Sequence, residues 1–147
     1  MSIGDYCEQP AATVRAGETV RAAAQRMKLA GVGTLIVVEG DRPVGIVSDR
    51  DLVLGALCER LDAGALRVEE VASRPLVTIH RDAPVREAIR VMKRRAIRRL
   101  PVVDDKGALV GIASADDLTT LAVGELSALS AAIAAQTPPS GAQRSES

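Results

Sequence analysis

The feature that most constrains this chain of 147 residues is an internal duplication. Residues 45–52 read Gly-Ile-Val-Ser-Asp-Arg-Asp-Leu, and residues 111–118 read Gly-Ile-Ala-Ser-Ala-Asp-Asp-Leu. Further identical residues lie 65 positions apart along most of the chain. They include Pro10 and Pro75, Thr13 and Thr78, Val20 and Val85, Met27 and Met92, and Leu35 and Leu100. Agreement on this scale at one spacing indicates a duplicated unit with short additional ends.

Each copy of the unit predicts the same order of elements. In the shared motif an aliphatic run ends at Ser48 or Ser114, which is expected to cap a helix whose third position is an Asp. Two short β-branched runs lead up to the Ser in each copy, at 34–38 and 44–47 and at 100–103 and 109–112, and they predict hairpins. Upstream of each hairpin, apolar residues recur at the spacing of one buried helical stripe. The stripes are Val20, Ala23, Ala24 and Met27 in the first copy and Val85, Ala88, Ile89 and Met92 in the second.

The remaining segments carry more local expectations. One helical turn is predicted around residues 5–7, and its counterpart at 68–72. Pro101 is expected at a strand start or edge, where its missing N–H is not needed. The helix after Ser114 is predicted to run to about Leu121, with a further helix at 125–136. Residues 137–147 lack apolar content and are expected to be disordered.

Composition narrows the classes of function. The 19 basic and 19 acidic residues cancel, and the chain has no Phe, no Trp and one Tyr. Nucleic-acid binding is therefore unexpected, because there is neither a global positive field nor a set of aromatic platforms for bases. No uninterrupted apolar run approaches the roughly 18 residues of a membrane span, and the N-terminus does not resemble a signal peptide. We expect a cytoplasmic protein.

The cysteines and the single histidine predict no metal site. Cys7 and Cys58 do not form a CxxC pair and have no clustered histidines, so free thiols are expected, although a bridge between them stays open. His80 is predicted to be an exposed residue without a special role.

The duplicated strand–helix–strand–strand–helix unit with its closing Gly-Ile-x-Ser-x-x-Asp-Leu resembles a CBS domain. The pair resembles a tandem CBS, or Bateman, module. This resemblance implies an α/β (α+β) fold of two pseudo-symmetric repeats, at 3–62 and 68–121, packed as one module. It also implies clefts between the repeats, which in many family members bind AMP, ADP, ATP or S-adenosylmethionine, and a disc-like homodimer.

The resemblance also implies the ligand-binding residues. Asp51 and Asp117 would accept the ribose hydroxyls in two separate clefts, with Ser48 and Ser114 as hydroxyl donors beside a helix N-terminus that favours phosphate. Matching positions would hold adenine in each cleft. They are Val77, Ile97 and Arg98 for the cleft with Asp51, and Ala12, Val32 and Gly33 for the cleft with Asp117. Arg98 and Arg99 are candidate phosphate clamps, and Gly33 and Thr34 stand at those positions in the first repeat, so the clefts should not be equivalent.

Both signals have a purely structural alternative. Ser-x-x-Asp is also a capping box, which stabilises a helix without any ligand. The cluster 93–95 with Arg98 and Arg99 also suits the C-terminal end of a helix, where the macrodipole favours cations.

Two functions follow as hypotheses. The first is a regulatory protein without a cofactor that senses an adenosyl ligand and signals through a homodimer or a regulated partner protein. The second is a ligand-free dimeric interaction protein, such as a stress-related or hypoxia-related CBS protein. An enzyme is not predicted, because no nucleophile and base pair, metal cluster or Walker-type loop is present in the sequence.

Overall fold

The computed structural model describes residues 1–59, 62–73 and 76–136. A 3-10 turn at Ile3–Asp5 precedes the first repeat, and the helices and strands follow in one order through the described chain. They are β1 (Thr13–Arg15), α1 (Val20–Ala30), β2 (Thr34–Glu39), β3 (Arg42–Ser48), α2 (Asp49–Val53, continued by a π-helical turn at Leu54–Cys58), α3 (Val68–Val71), β4 (Ile79–His80), α4 (Val85–Arg95), β5 (Arg99–Val103), β6 (Leu109–Ser114) and α5 (Ala115–Gln136). The predicted disordered tail at 137–147 and the predicted apolar position Leu61 lie outside the described residues.

Two three-stranded sheets carry the repeats, in the orders β1-β2-β3 and β4-β5-β6. In each sheet the first strand is parallel to the central strand, and the third strand is antiparallel to it. Thr34 pairs with Ser48 in the first sheet, and Arg99 pairs with Ser114 in the second. The predicted order of elements in the two repeats and the mixed α/β fold class are confirmed.

The first helix shows how local chemistry sets its ends. Helix α1 was predicted to begin at Gly17-Glu18, but it begins at Val20. Thr19 is its N-cap, because the Thr19 side chain accepts a hydrogen bond from the Ala22 N–H at 3.1 Å. It ends at Gly31, which takes the left-handed conformation with φ of 66°. A glycine at this place has no steric penalty and lets the chain turn into β2.

The leading segment of each repeat packs on the other repeat. The Ile3 N–H donates to the Ala83 carbonyl, and 65 positions on, the Val68 N–H donates to the Glu18 carbonyl. Ile3 and Val68 are both 0% exposed. Burying an aliphatic side chain of this size contributes about 1.5–3 kcal/mol, so neither repeat keeps its full core without the other.

The leading segments also cover the outer strands of the sheets. Glu8 exchanges two backbone hydrogen bonds with Ile112 on β6, of 2.9 and 3.1 Å. In the first sheet the Ser73 N–H donates to the Ile46 carbonyl on β3 at 2.8 Å. Both segments thereby supply partners to backbone groups that an edge strand would leave to solvent.

The predicted helical stripes are buried or partly buried except at their third position, in α1 as well as in α4. Val20, Ala23 and Met27 are buried on α1, and Ala88 and Met92 are buried on α4. Ile89, predicted to be in the core, is 51% exposed. The equivalent residue Ala24 on α1 is exposed as well. The buried stripe is narrower than the i, i+3, i+4 pattern suggests, because only one side of each helix contacts its sheet.

Pro101 is the third residue of β5, the central strand of its sheet, so its predicted place at a strand start or edge was wrong. The physical requirement is met in another way. Thr13 of β1 pairs with Ile36, but β4 begins only at Ile79, which pairs with Val102. No β4 residue therefore stands opposite Pro101 to need its N–H, and β4 is one residue shorter than β1.

The chain divides into two compact units, the first from Met1 to Ala115 and the second starting at Asp116. The described part of the second unit is the rest of α5, which is one continuous helix of 22 residues. The predicted break between Leu121 and residue 125 was wrong. Gly124 costs the helix about 1 kcal/mol, but the neighbouring Ala and Leu residues have high helix propensity and offset this cost. No Pro interrupts the helix. The predicted repeat boundaries, 3–62 and 68–121, stay predictions.

By length and composition, α5 is the one described helix that could cross a membrane, and little of it is buried. It meets this criterion although Thr119, Thr120 and Glu125 interrupt its apolar residues. A single helix of this kind is weak evidence for a span, because helices of soluble proteins meet the same criterion.

An ion pair connects Arg26 on α1 with Glu18 in the loop between β1 and α1. Both nitrogens of the Arg26 fork donate to the Glu18 carboxylate, at 2.8 and 2.9 Å, and the Arg15 N–H donates to the same carboxylate at 2.7 Å. The hydrogen bond from Arg26, followed by the one from Arg15, lowers the pKa of Glu18 from 4.5 to about 2, against an opposing effect of burial. The carboxylate form is therefore stabilised by the fold.

Acid should weaken the protein through Glu18. A group with a lowered folded-state pKa contributes stability above its unfolded pKa of 4.5, and loses it as the pH falls through about 2. We expect Glu18→Gln to lower the free energy of unfolding by about 1–2 kcal/mol at neutral pH, discounted for partial exposure of the pair, and by less at about pH 3. Urea unfolding at both pH values measures this, with Glu39→Gln as an exposed control. A gap between Glu18→Gln and the unsubstituted protein that stays constant with pH would contradict the assignment.

The two motif glycines should respond differently to a side chain. A Cβ at Gly111 would collide with the Glu8 carbonyl and approach the Cys7 Sγ to 2.8 Å, whereas at Gly45 the nearest atom is the Ser73 carbonyl oxygen at 3.4 Å. We expect Gly111→Ala to cost about 2–4 kcal/mol of unfolding free energy and Gly45→Ala less than about 1 kcal/mol. Chemical denaturation of both variants measures the difference. Equal losses would argue against the tight seating of the N-terminal segment on β6.

Candidate ligand site

One cleft in the first unit, of about 270 Å³, collects residues from both repeats. The first repeat contributes the start of β2, the end of β3 and the start of α2 to its wall, and the second repeat contributes residues that precede β4 and residues at the start of β5. It is lined by Thr34, Ile46, Ser48, Asp51, Ser73, Leu76, Val77, Ile97, Arg98 and Arg99. The structure thus brings together the five residues predicted for the cleft with Asp51, and it adds Arg99, a candidate phosphate clamp that had not been assigned to either cleft. The role of these residues in binding stays a prediction.

Ser48 and Asp51 form a complete capping box in this cleft. The Ser48 Oγ accepts from the Asp51 N–H at 3.1 Å, and the Ser48 N–H donates to Asp51 Oδ2 at 2.8 Å. The structural alternative is therefore real at this motif. The capping box does not use every polar group of these two side chains. Asp51 Oδ1 makes no hydrogen bond to a described residue, and the Ser48 hydroxyl can still donate. Both remaining groups belong to residues that line the cleft.

The same backbone frame supports both copies of the motif. The Asp49 N–H donates to the Gly33 carbonyl at 2.9 Å, and the Ala115 N–H donates to the Arg98 carbonyl at 2.8 Å. This hydrogen bond fixes the residue before each central strand against the start of the following helix. Positions 33 and 98 are thus structurally equivalent, but one carries no side chain and the other carries a guanidinium.

Arginine in place of glycine and threonine makes this cleft cationic. Arg98 and Arg99 are both exposed and line it side by side. Arg99 is the equivalent of Thr34, which lines the same cleft from the first repeat. No acid other than Asp51 belongs to the lining, so the cleft carries a formal excess of positive charge.

Pro101 changes the backbone chemistry beside Val77. In the first repeat the Ile36 N–H donates to the Ala12 carbonyl at 2.9 Å. Pro101 occupies the place of Ile36 in the second repeat and has no N–H, so the same hydrogen bond to the Val77 carbonyl cannot form. Val77 lines the cleft, and an N–H donor on a ligand could take the place of the missing bond.

Four lining residues were missed by the sequence reasoning: Thr34, Ile46, Ser73 and Leu76. Two of them had a signal in the repeat. Thr34 is the counterpart of the predicted Arg99, and Ile46 lies inside the duplicated motif. Ser73 and Leu76 flank residues 74 and 75, and Ser73 reaches the cleft through its backbone bridge to Ile46.

The residues predicted for the second cleft are divided between the two units. Ala12, Val32, Gly33 and Ser114 lie in the first unit, and Asp117 lies in the second. Ala12 and Val32 pack against the buried core of the first repeat. Ala12 also lines a shallow groove with Glu18 and Arg26. The second cleft stays a prediction.

His80, predicted to be exposed, is half-buried in a small polar cluster with the exposed Asp82 and Asp105. Its Nε2 lies 2.6 Å from Asp105 Oδ1, and the Asp82 N–H donates to its Nδ1 at 3.1 Å. Ligand atoms of the three residues lie within 4.8 Å of one another, as they would around a metal ion. Both ring nitrogens already have protein partners, and exposed acids often group in this way without an ion, so the cluster is weak evidence for a metal.

The duplicated motif recurs in a known protein family. The CBS-domain family model matches residues 3–56 and 68–124, which together make up more than half of the chain. The chain belongs to the CBS-domain family. It is 37% identical over 117 residues to the CBS domain-containing protein YhcV of Bacillus subtilis, covering 80% of this chain and 82% of that protein. It is 34% identical over 119 residues to the uncharacterized protein MK0525 of Methanopyrus kandleri, and this match spans 80% of this chain but only 61% of that relative.

Solved structures of CBS pairs share the fold. The CBS pair of MJ0100, in complex with 5′-methylthioadenosine and S-adenosyl-L-methionine, has a TM-score of 0.74 at 27% identity, over 85% of this chain and 98% of that one. PAE2072 from Pyrobaculum aerophilum, complexed with AMP, has a TM-score of 0.71 at 30% identity, over 80% and 90%. Hypoxic Response Protein I, with two coordinated zinc ions, has a TM-score of 0.74 at 30% identity, over 82% and 98%. The chain is thus a CBS pair, a Bateman module, with relatives that bind adenosyl ligands.

Proposed function

We propose that this protein is a regulatory sensor that binds an adenine nucleotide in the cleft between its repeats. The observation that carries the proposal is the convergence of Ser48 and Asp51 from one repeat with Arg98 and Arg99 from the other. A carboxylate acceptor beside a hydroxyl suits the two hydroxyls of a ribose, and a guanidinium pair suits phosphate oxygens. CBS pairs similar to this one have been crystallised with AMP and with S-adenosylmethionine.

The charge of the cleft favours a phosphate-bearing ligand. S-adenosylmethionine carries a sulfonium cation, which Arg98 and Arg99 would repel, whereas the phosphates of AMP, ADP or ATP would be attracted. The apolar walls formed by Ile46, Leu76 and Ile97 suit the faces of an adenine ring without aromatic stacking. The Val77 carbonyl offers an acceptor for the exocyclic amine of adenine. These features together support an adenine nucleotide ahead of other adenosyl ligands.

Binding would have a regulatory consequence because the cleft belongs to two repeats. A ligand that contacts both walls stabilises the arrangement in which they are closest and shifts the population toward it. We infer that this shift is passed on through a homodimer or a partner protein in the cytoplasm, and that the chain has a regulatory rather than a catalytic role. No zinc or other metal is needed for this scheme.

The second candidate is a ligand-free interaction protein. The complete Ser48–Asp51 capping box supports it, because the motif is satisfied within the protein. The likeness to Hypoxic Response Protein I also supports it. In this case Arg98 and Arg99 would serve only as exposed cations near the end of α4.

A thermal-shift titration with AMP, ADP, ATP, S-adenosylmethionine and GMP separates the candidates. We expect an adenine nucleotide to raise the melting temperature, since a ligand at roughly 100 times its Kd adds about 2.7 kcal/mol to the folded state. Asp51→Asn should reduce the shift, because the amide keeps the shape of the cap but loses a carboxylate oxygen for the ribose. Asp41→Asn, at an exposed aspartate outside the cleft lining, is the control that removes the same charge. No shift with any nucleotide at millimolar concentration would favour the interaction protein.

The phosphate role of Arg99 has its own test. Arg99→Gln should weaken nucleotide binding about tenfold and should weaken S-adenosylmethionine binding little or not at all, since a charged hydrogen bond is worth about 1.5–3 kcal/mol. Arg50→Gln, on the exposed side of α2, is the control that changes net charge equally. Isothermal titration calorimetry measures both. Equal losses in the two variants would show that only net charge matters and would remove Arg99 from the site.

A further inference from the structure

Helix α5 is longer than its counterpart in the first repeat. There the helix after the motif Ser, with its π-helical turn, ends at Cys58. The two copies of the motif lie 66 positions apart, so the counterpart of Cys58 is Gly124, and the CBS-domain match also ends at 124. Residues 125–136 continue α5 beyond this point, for about 18 Å at 1.5 Å per residue. This extension is an addition to the CBS repeat.

The end of α5 exposes large apolar side chains. Every residue from Ala122 to Gln136 is exposed. The exposed fraction is 57% for Val123, 66% for Leu126, 58% for Leu129 and 59% for Ile133. At about 100° per residue these four side chains lie within an arc of about 120°, so they form one continuous stripe. Single exposed apolar residues are normal in proteins, but a contiguous stripe marks an interaction surface.

The stripe has the spacing of a coiled-coil seam. Its central line, named here the α5 seam, advances by four, three and four residues through Ala122, Leu126, Leu129 and Ile133. Alternating steps of three and four are the a and d positions at which two paired helices meet. Beside the seam runs a shallow groove with mostly small side chains, lined by Val123, Leu126, Ser127, Ser130, Ala131 and Ala134. Small side chains leave holes that the apolar knobs of a second helix can fill.

The charge of α5 limits what can cover the α5 seam. Glu125 is the only charged residue between Leu118 and Gln136, so a highly charged partner would find no complementary charges. A helix that lies on a membrane surface presents Lys and Arg to the lipid headgroups, and this stretch has neither. A bilayer span of about 20 residues that ends at Gln136 would include both Asp117 and Glu125. An uncharged apolar helix is the partner that suits the seam.

We propose that the α5 seam pairs with the α5 seam of a second copy of this chain. Two identical seams match in apolar surface and in spacing, and Glu125 lies about 100° around the helix from Leu126, outside the line of contact. The seam spans about two heptads, fewer than the three or four of a long coiled coil, so we expect a dimer that forms at micromolar rather than nanomolar concentration. No seam residue lines the nucleotide cleft, so the pairing is independent of the proposed nucleotide binding.

Sedimentation equilibrium of the full chain without nucleotide tests the pairing. We expect Leu126→Glu with Leu129→Glu to raise the dimer dissociation constant at least about tenfold, because like charges would then meet in the seam. The matched control is Ala128→Glu with Ala135→Glu, which adds the same charge on the opposite side of α5 and should leave the constant unchanged. All four positions are exposed, and circular dichroism checks that each variant is folded.

Crosslinking locates the contact independently of its strength. Position 129 lies near the middle of the seam, so its two copies are close whether the helices pair parallel or antiparallel. In a Cys58→Ser background, which removes the exposed thiol, we expect a short bismaleimide to link Leu129→Cys into dimers. The same background with Ala128→Cys, on the opposite side of the helix, should give few dimers.

Four outcomes would overturn the proposal. The first is a monomer throughout the micromolar range, and the second is a dimer whose dissociation constant is the same in Leu126→Glu with Leu129→Glu. The third is equal crosslinking at positions 128 and 129. The fourth is flotation of the unsubstituted protein, but not of the seam variant, with phosphatidylcholine vesicles, which would assign the seam to a membrane. None of these results bears on the thermal-shift test of nucleotide binding.

Discussion

The exchange of leading segments between the repeats is the constraint on which the first unit depends. Ile3 and Val68 are equivalent residues, and each is fully buried against the repeat that does not follow it in sequence. The hydrogen bonds around them repeat at the same spacing, from Gly4 to Arg81 and from Glu69 to Ala16. A repeat of this size has a marginal core by itself, so sharing segments couples the folding of the two halves. The inter-repeat cleft exists because this coupling holds both walls in place.

Much of this architecture could be predicted from the sequence because each pattern that indicates a helix or strand occurs in both repeats. A Gly-Ile-x-Ser-x-x-Asp motif is a weak signal once, but its recurrence in register with two hairpins and two helical stripes defines the fold. The resemblance to the CBS family, rather than the repeat itself, implied a place in the cleft for Val77 and Ile97, which have no chemical signature of their own. What the repeat could not predict was the segment exchange, because a sequence spacing says which residues are equivalent and not which copy they contact.

The errors have separate physical causes. Ile89 was assigned to the core because periodicity reports a helical side and not the width of its contact with a sheet. The break in α5 was predicted between Leu121 and residue 125, a stretch that contains Gly124, but a long Ala-rich helix can include one glycine without ending. Pro101 was predicted at a strand start or edge because it has no N–H to donate to a neighbouring strand. In the structure the neighbouring strand β4 begins only at Ile79, so no β4 residue needs that N–H.

Differences between the two copies are the best guide to function in a duplicated protein. Residues that are the same in both, such as Ser48 and Ser114, are explained by a fold that needs them twice. The Ser-x-x-Asp sequence is of this kind, so it cannot by itself distinguish a binding site from a helix cap. Arg98, Arg99 and Pro101 replace Gly33, Thr34 and Ile36 at positions where the first repeat folds without them. Arg98 and Arg99 add positive charge at one cleft, and Pro101 removes the backbone donor that would pair with the Val77 carbonyl at the same cleft, so the differences between the copies concentrate there.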